Sequence, residues 1–397
     1  MLPKLTKMEK QTGKESEKQD SQKPFDWGKY WEKKGQRRIC SHRPHAVWCN
    51  YRWCGVYLIT IVTCQRRPVL GILNSDPQNP EVELTNIGQF VMQEWLSTPA
   101  KQARHGRHIS LLAQQVMPDH FHSVLRVEKE MDVSVGTIIR DFKAQCTKEW
   151  RRLYQPILAD TLESEETKAA MAKMSRKQRE AFYHELGAES LFEDNYDDTI
   201  CFRDGQTDNA IRYVLDNPRR LALKRANPQL FKLHQRVQVA GFECTTLGNQ
   251  FLIDFPMKEM VQCSRRLTQA EIEQKKAQCL MEAERGTVFV SAGISEGEKQ
   301  ICKALREEGF PLIILLKDGF PKETDPHYKY FKPQGVYFEA CAAGRLLLIE
   351  PNEELYDNHE IEAQVYGKAG ILPHDTQRYR FLALNTLAQR VITHADP

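Results

Sequence analysis

His120 and His122 flank Phe121 in the run Met117-Pro118-Asp119-His120-Phe121-His122-Ser123-Val124-Leu125-Arg126-Val127. Alternate residues of a strand face the same way, so a strand here sets two imidazoles side by side and turns Phe121 to the other face. Two aligned imidazoles can hold a divalent metal. Well downstream, Ala210-Ile211-Arg212-Tyr213-Val214-Leu215-Asp216-Asn217-Pro218 reads as a helix. Its i, i+4 spacing stacks the Tyr213 phenol and the Asn217 amide on one face. The first pair offers metal ligands; the second offers a nucleophile and a third ligand. Each motif alone also has an ordinary reading. A chain with 12 His contains a His-x-His pair by chance often enough. Tyr beside Val and Leu is commonly a core residue, and Asn before Pro commonly ends a helix.

The elements between these motifs decide whether the four residues can meet. Val56 to Cys64 is short and β-branched and runs into the basic turn Gln65-Arg66-Arg67-Pro68, the pattern of a buried strand. A hairpin or short insert with Asp76, Pro77 and Pro80 follows. Apolar residues at 84, 87, 91 and 95 predict a helix over Leu84 to Leu96, capped by Thr85 or Asn86. Ser110 to Met117 and Phe121 to Val127 read as strands joined at Pro118-Asp119, and Ser134 to Leu153 as a helix exposing Arg140, Lys143 and Arg151. The order β, α, β, β, α predicts an α+β domain, an antiparallel sheet with helices packed on one face. Residues 160–187 are charged and helix-prone without an apolar stripe, a solvated insertion. Leu191 to Ile200 then reads as an extended segment returning to the sheet, and Asp208 as a candidate cap for the Tyr213 helix.

A chain of 397 residues, 41% hydrophobic, is expected to fold into two or three globular domains. No apolar run is long enough for a membrane span, and Met1 to Gln22 lacks an apolar signal core, so the expected location is cytoplasmic, and nucleoid-associated if the basic residues below meet nucleic acid. Eleven Cys without a Cys-x-x-Cys pair fit neither a disulfide framework nor a structural zinc site and are expected to be reduced. The net charge of +3 is uneven: residues 1–52 carry 13 Lys and Arg against 6 Asp and Glu, leaving the remainder acidic. Residues 1–47 therefore read as a basic, partly disordered arm. Its Lys33-Lys34-Gly35-Gln36-Arg37-Arg38 and Arg43, with Trp48, Tyr51, Arg52 and Trp53 beyond, could track a nucleic-acid backbone and stack on bases.

Residues of about 51 to 230 resemble the tyrosine transposases of the HUH single-strand nuclease superfamily, closest to the REP-associated tyrosine transposases. Four segments carry the resemblance: Tyr57 to Thr63, Val116 to His122, Asn195 to Ile200, and Tyr213 to Pro218. The family pairs His-hydrophobic-His with a helical Tyr followed four residues later by a metal-binding amide, here Asn217. The resemblance implies a ferredoxin-like nuclease domain over 48–235. It implies that His120, His122 and Asn217 hold Mg²⁺ or Mn²⁺ and that Tyr213 attacks a phosphodiester, leaving a 5′-phosphotyrosine and a free 3′-hydroxyl. Imidazole ligands favour Mn²⁺ over Mg²⁺. The implied substrate is single-stranded DNA, with cleavage and rejoining at hairpin-flanked sites. The family works as a homodimer; whether the His pair and the Tyr helix come from one subunit or two stays open in the sequence. Arg66, Arg67, Arg140, Lys143, Arg219, Arg220, Lys224 and Arg225 are candidates for the DNA backbone. Rival metal chemistry fits less well: a histidine-triad hydrolase needs a third His where Val124 stands, and a cupin needs an acid in phase with the pair, which Glu128 is not. The alternative from another class is a domesticated protein that binds a DNA or RNA hairpin without cutting it.

Residues 240–397 read as a smaller accessory α/β domain. Gly286 to Ser291, Ser295 to Glu308 and Pro311 to Leu316 form a β-α-β unit. Together with the turn Ser291-Ala292-Gly293-Ile294-Ser295 it resembles the Rossmann-like domain of DNA-processing protein A. The turn could seat a phosphate on a helix N-terminus, but Glu296 and Glu298 already complement that dipole, which favours a plain capped turn. Thr268 and Glu271 form a capping box, Cys341 to Ile349 a further strand, and Tyr379 to Ile392 a closing helix. DNA binding or dimer contact is the expected role.

Overall fold

The computed structural model describes residues 49–74, 76, 78–186, 188–320, 336–369 and 376–393. The basic arm expected over 1–47, and Trp48 with it, lies outside the described residues. Strand β1 (Gly55–Val62) buries Tyr57, Ile59 and Ile61 on one face and turns Val56, Leu58 and Thr60 to the other. A small hairpin of β2 (Gly71–Leu73) and β3 (Val82–Leu84) leads into α1 (Asn86–Leu96), whose cap is Thr85 accepting from the Gly88 amide. Gly88 is required there, because a Cβ at that position would sit 1.8 Å from the Leu70 carbonyl oxygen. The short α2 (Thr98–Ala103) turns the chain into β4 (Ile109–Val116) and β5 (His120–Val127).

Helix α3 (Val135–Tyr154) is capped by Ser134 and buries Ile138, Ile139, Phe142, Cys146 and Trp150 at helical spacing. Three further helices, α4 (Pro156–Glu163), α5 (Glu165–Ala172) and α6 (Arg176–Glu185), make up the expected insertion. It leaves and rejoins the domain at one point: the Glu189 amide donates to Gln155 Oε1 at 3.4 Å and Arg151 Nε to the Glu189 carbonyl at 3.1 Å. Strand β6 (Asp197–Cys201) returns to the far side of β1. The sheet is antiparallel in the order β4-β5-β1-β6, with Thr60 directly between His122 on β5 and Asp197 on β6.

Helices α1 and α3 share one face of this sheet, where Trp95 meets Phe121 edge-on at 5.5 Å and Phe142 at 4.8 Å. The buried Trp95 Nε1 donates to Ser123 Oγ at 2.8 Å, so this apolar layer leaves neither polar group unpaired. The expectation of helices on one face needs correction. Helix α7 (Gln206–Leu215) packs on the opposite face, in a core of Val56, Ala113, Val124, Ala210 and Val214. The physical reason lies in β5, buried along both faces, which demands cover on both. The N-cap of α7 is Gly205, at φ 71°, rather than Asp208, which sits in the first turn. Helix α8 (Asn217–Ala226) continues almost directly: only Asp216 separates the two, and Pro218 has no N–H to bond back to Val214.

The second sheet starts at His234, inside the boundary expected from sequence. It joins β7 (His234–Val239), β8 (Phe242–Gly248), β9 (Lys258–Met260), β10 (Val288–Ser291), β11 (Leu312–Leu315) and β12 (Leu346–Pro351) in the order β7-β8-β12-β11-β10-β9. The last four strands are parallel, and β8 pairs antiparallel with β12. The segment 341–345 expected in the final strand is the end of a helix and a turn; α11 spans Val336–Ala342. The remaining helices are α9 (Gln269–Glu284), with the Thr268–Glu271 capping box, α10 (Glu296–Glu307), α12 (His359–Ala369) and α13 (Gln377–Thr393). Helices α9 and α10 cover one face through Ile272, Ile301 and Leu305, and α12 and α13 the other through Ile361, Tyr379 and Leu387. The parallel strands lie side by side in chain order, so their order does not reverse to open the crevice where doubly wound sheets bind ligands.

Candidate active site

The β4–β5 hairpin sets the His pair. Its turn is closed by the Met117 amide donating to the His120 carbonyl at 2.8 Å and is tied to β1 by the Thr63 amide on the Asp119 carbonyl at 3.0 Å. The antiparallel register then fixes the imidazoles on the α7 face, opposite Val62 and Thr60. Their ring centroids lie 4.6 Å apart at 81°. From above, α7 brings the Tyr213 ring to 5.4 Å from that of His122, at 67°. Residues distant in sequence thus share one half-buried face within a single chain.

Each imidazole is held by a second group. The two Nδ1 atoms face different partners: for His120 it is Asp119 Oδ1 at 2.6 Å, and for His122 it is Thr60 Oγ1 at 2.9 Å. Burial alone would raise the Asp119 carboxyl, but the hydrogen bond and charge of His120, with Arg66 at 3.2 Å, outweigh it and hold the group at about 2. Asp119 is therefore a carboxylate, an acceptor only, which places the His120 proton on Nδ1. His122 is pushed down to about 3, first by burial and then by the neighbouring His120. A neutral ring keeps a lone pair on one nitrogen, the form a metal requires.

Asn217 is buried at the start of α8, and its Nδ2 donates to the Tyr213 carbonyl at 2.7 Å. That bond fixes the amide plane at the α7–α8 joint, with Oδ1 as the acceptor end of the side chain. Two imidazoles with partners on their far nitrogens, plus an amide oxygen, suit a divalent ion of the Mn²⁺ kind. Among the described residues no group of three or more His, Cys, Asp and Glu is arranged to hold a metal.

The basic candidates divide. Arg66, Arg140 and Arg225 are exposed. Arg67 is taken up by the fold: it pairs with Glu189, donates to the Cys64 carbonyl at 3.2 Å and lies 5.4 Å from the Trp150 ring. Lys143 Nζ caps the carbonyls of Glu193, Asp194 (2.8 Å) and Asn195 (3.3 Å), a half-buried position whose desolvation lowers its pKa. Arg219 bridges Asp216 and Glu339, Arg220 is buried against Phe338, and Lys224 lies 5.7 Å from the Phe338 ring. Thr60 has a site role that sequence reasoning missed. Its signal is register, visible only once β1 and β5 are paired.

In the second sheet the Ser291–Ser295 turn is occupied by the protein itself. Glu298 accepts from the amides of Ile294 at 2.7 Å and Ser295 at 3.3 Å, and Ser295 Oγ accepts from the Glu298 amide at 3.1 Å. A buried carboxylate already stands where a phosphate would.

No family model matches the chain, and no curated protein does. Two solved structures to which it is similar are transposases. One is a REP-associated tyrosine transposase bound to a REP hairpin, at 14% identity, covering 44% of this chain and 73% of that one with a TM-score of 0.25. The other is described as a transposase of Deinococcus radiodurans R1, at 14% identity, covering 44% of this chain and 98% of that one with a TM-score of 0.23. Superpositions this loose carry no weight for function, which is argued from the site's own atoms. Among the described residues no helix is long and apolar enough to cross a membrane.

Proposed function

We propose that residues 48–235 cut and rejoin single-stranded DNA through a covalent link to Tyr213. The convergence of the His120, His122 and Tyr213 rings in one chain carries this reading. The order β1, α1, β4, β5, α3, β6 with spatial order β4-β5-β1-β6 also supports the ferredoxin-like form of the domain. Tyr213 Oη attacks phosphorus and the P–O3′ bond breaks; the phenol proton passes in net to the departing 3′-oxygen. A 5′-phosphotyrosine and a free 3′-hydroxyl result, and attack by another 3′-hydroxyl reverses the step without ATP. His120, His122 and Asn217 would hold Mn²⁺ or Mg²⁺, which when bound stabilises charge on the non-bridging phosphate oxygen. Thr60 and Asp119 keep the two imidazoles turned toward that position. Burial of His122 keeps its ring neutral at physiological pH. A site set between a sheet and a helix suits a strand that can be splayed out better than a stacked duplex.

The test is incubation with end-labelled single-stranded oligonucleotides carrying hairpins, with Mn²⁺ or with EDTA. A covalent protein–DNA band that needs Mn²⁺ and vanishes in Tyr213→Phe is expected. A band that persists in the Phe variant removes Tyr213 from its role. Hairpin binding with no cleavage under any metal would favour the binding-only alternative. Size measurement with and without DNA tests the proposed homodimer.

A further inference from the structure

The joint that sets Tyr213 against the His pair is gripped from outside its own domain. Arg219, in the first turn of α8, donates to Asp216 in the joint through Nε at 2.5 Å and Nη2 at 3.0 Å. It also donates to Glu339 on α11 through Nη1 at 3.3 Å and Nη2 at 2.5 Å. Arg220 is buried, its guanidinium carbon 3.6 Å from the centroid of Phe338 on α11 and 5.5 Å from that of Tyr213. Phe338 is fully buried and backed by Phe231 at 5.1 Å, stacked at 27°. Helix α11 is anchored in turn by Cys341 Sγ, which donates to the Leu230 carbonyl at 2.8 Å. Three planar groups, Phe338, Arg220 and Tyr213, therefore run in series from the second sheet's helix to the candidate nucleophile.

We propose that Arg220 is a positioning residue for Tyr213 and that α11 of the second domain, through Phe338 and Glu339, holds it in place; the catalytic consequence rests on the function proposed above. A planar guanidinium near two aromatic rings is directional in a way an ammonium is not, because its flat face stacks on a ring. Burying this cation is costly, and burial lowers its pKa; the neighbouring Tyr213, Asp216 and Glu339 oppose that shift. A solvated arginine would avoid the cost, which argues that the location serves the joint. The second domain then controls whether the phenol faces the imidazoles, although it supplies no atom to the chemistry.

The test uses the full chain labelled with 3-fluorotyrosine, the Tyr213 ¹⁹F resonance being assigned by its loss in Tyr213→Phe. Phe338→Leu and Glu339→Gln are expected to shift or broaden that resonance. In cleavage assays, kcat should fall by about 10- to 100-fold in Phe338→Leu, the scale of a nucleophile misplaced by about 1 Å. The oligonucleotide KM should stay within about twofold, since no substrate contact is removed. Arg220→Lys should give an intermediate kcat, keeping charge and losing the stack. If Phe338→Leu fails to fold by circular dichroism, the partly exposed Glu339→Gln decides alone. A resonance and a kcat both unchanged in every folded variant overturn the proposal. If the wild type does not cleave at all, the reading of the site fails, while the resonance still decides whether α11 positions Tyr213.

Discussion

Thr60→Val removes one hydroxyl from beside a buried imidazole at nearly constant volume, leaving the Ile59 backbone as the ring's other hydrogen-bond partner on β1. The hydroxyl lies 2.9 Å from His122 Nδ1, and His122 is only 4% exposed, so no bulk water replaces it. Leaving a buried N–H unpaired costs about 1–3 kcal/mol. Loss of the group that orients a metal-binding imidazole ordinarily weakens the metal by about 10- to 100-fold. Converted at about 1.4 kcal/mol per factor of ten, that is about 1.4–2.8 kcal/mol, the same size as the orphaned donor. The two routes agree because they describe one event: the ring gives up its fixed orientation to find another partner. Calorimetric titration of the full chain with Mn²⁺ measures it directly. The dissociation constant should rise about 10- to 100-fold in Thr60→Val and recover to within about threefold in Thr60→Ser, which keeps the hydroxyl. Equal affinity in wild type and Thr60→Val would mean that His122 is not held by Thr60, or that it does not bind the ion.

Asp119→Asn should weaken Mn²⁺ by a similar factor of about 10 to 100, since an amide opposite His120 no longer dictates its tautomer; unchanged binding would take Asp119 out of the site. Gly88→Ala forces a methyl group against the Leu70 carbonyl and should destabilise by about 1–3 kcal/mol; an unchanged thermal melt would show that α1 can slide. Burial pushes the Cys244 and Cys341 thiols up to about 12 and Cys279 and Cys302 to about 11, above the usual 9.0. Because the folded values are raised, their contribution is whole below pH 9 and drains as pH climbs toward 11–12, by roughly 1 kcal/mol per thiol per pH unit. Urea midpoints at pH 8 and pH 10 check this, and a difference that survives substitution of all four by Ala would assign the loss elsewhere.

Much of the first domain was legible because its elements announce themselves locally. Thr85 is the cap that the pattern offers, the helix read from Ser134 starts there, and the His-Phe-His alternation lands on one strand as period-two patterning requires. Position along the chain says less about which face an element covers. The placement of α7 opposite α1 and α3 depends on β5 being apolar on both sides, a fact readable in Phe121, Val124 and Leu125 but given meaning only by the neighbours. The Asp208 cap failed because Gly205 turns the chain through a positive φ before Asp208 is reached. The basic candidates read as charges in the sequence, whereas Arg67, Lys143 and Arg219 meet specific carbonyls and carboxylates far away in the chain. Cys341 and Ala342 read as strand because β12 follows closely, yet they close α11, the helix that carries Phe338 and Glu339.

The latch between Gln155 and Glu189 means that everything from α4 to α6 is threaded out and back through a single doorway. Lengthening such an excursion alters loop-closure entropy only logarithmically and leaves the sheet's register untouched. Reporters or affinity tags can therefore be spliced between α5 and α6 without disturbing the imidazoles, whereas one residue added between His120 and His122 would put the two rings on opposite faces of the strand.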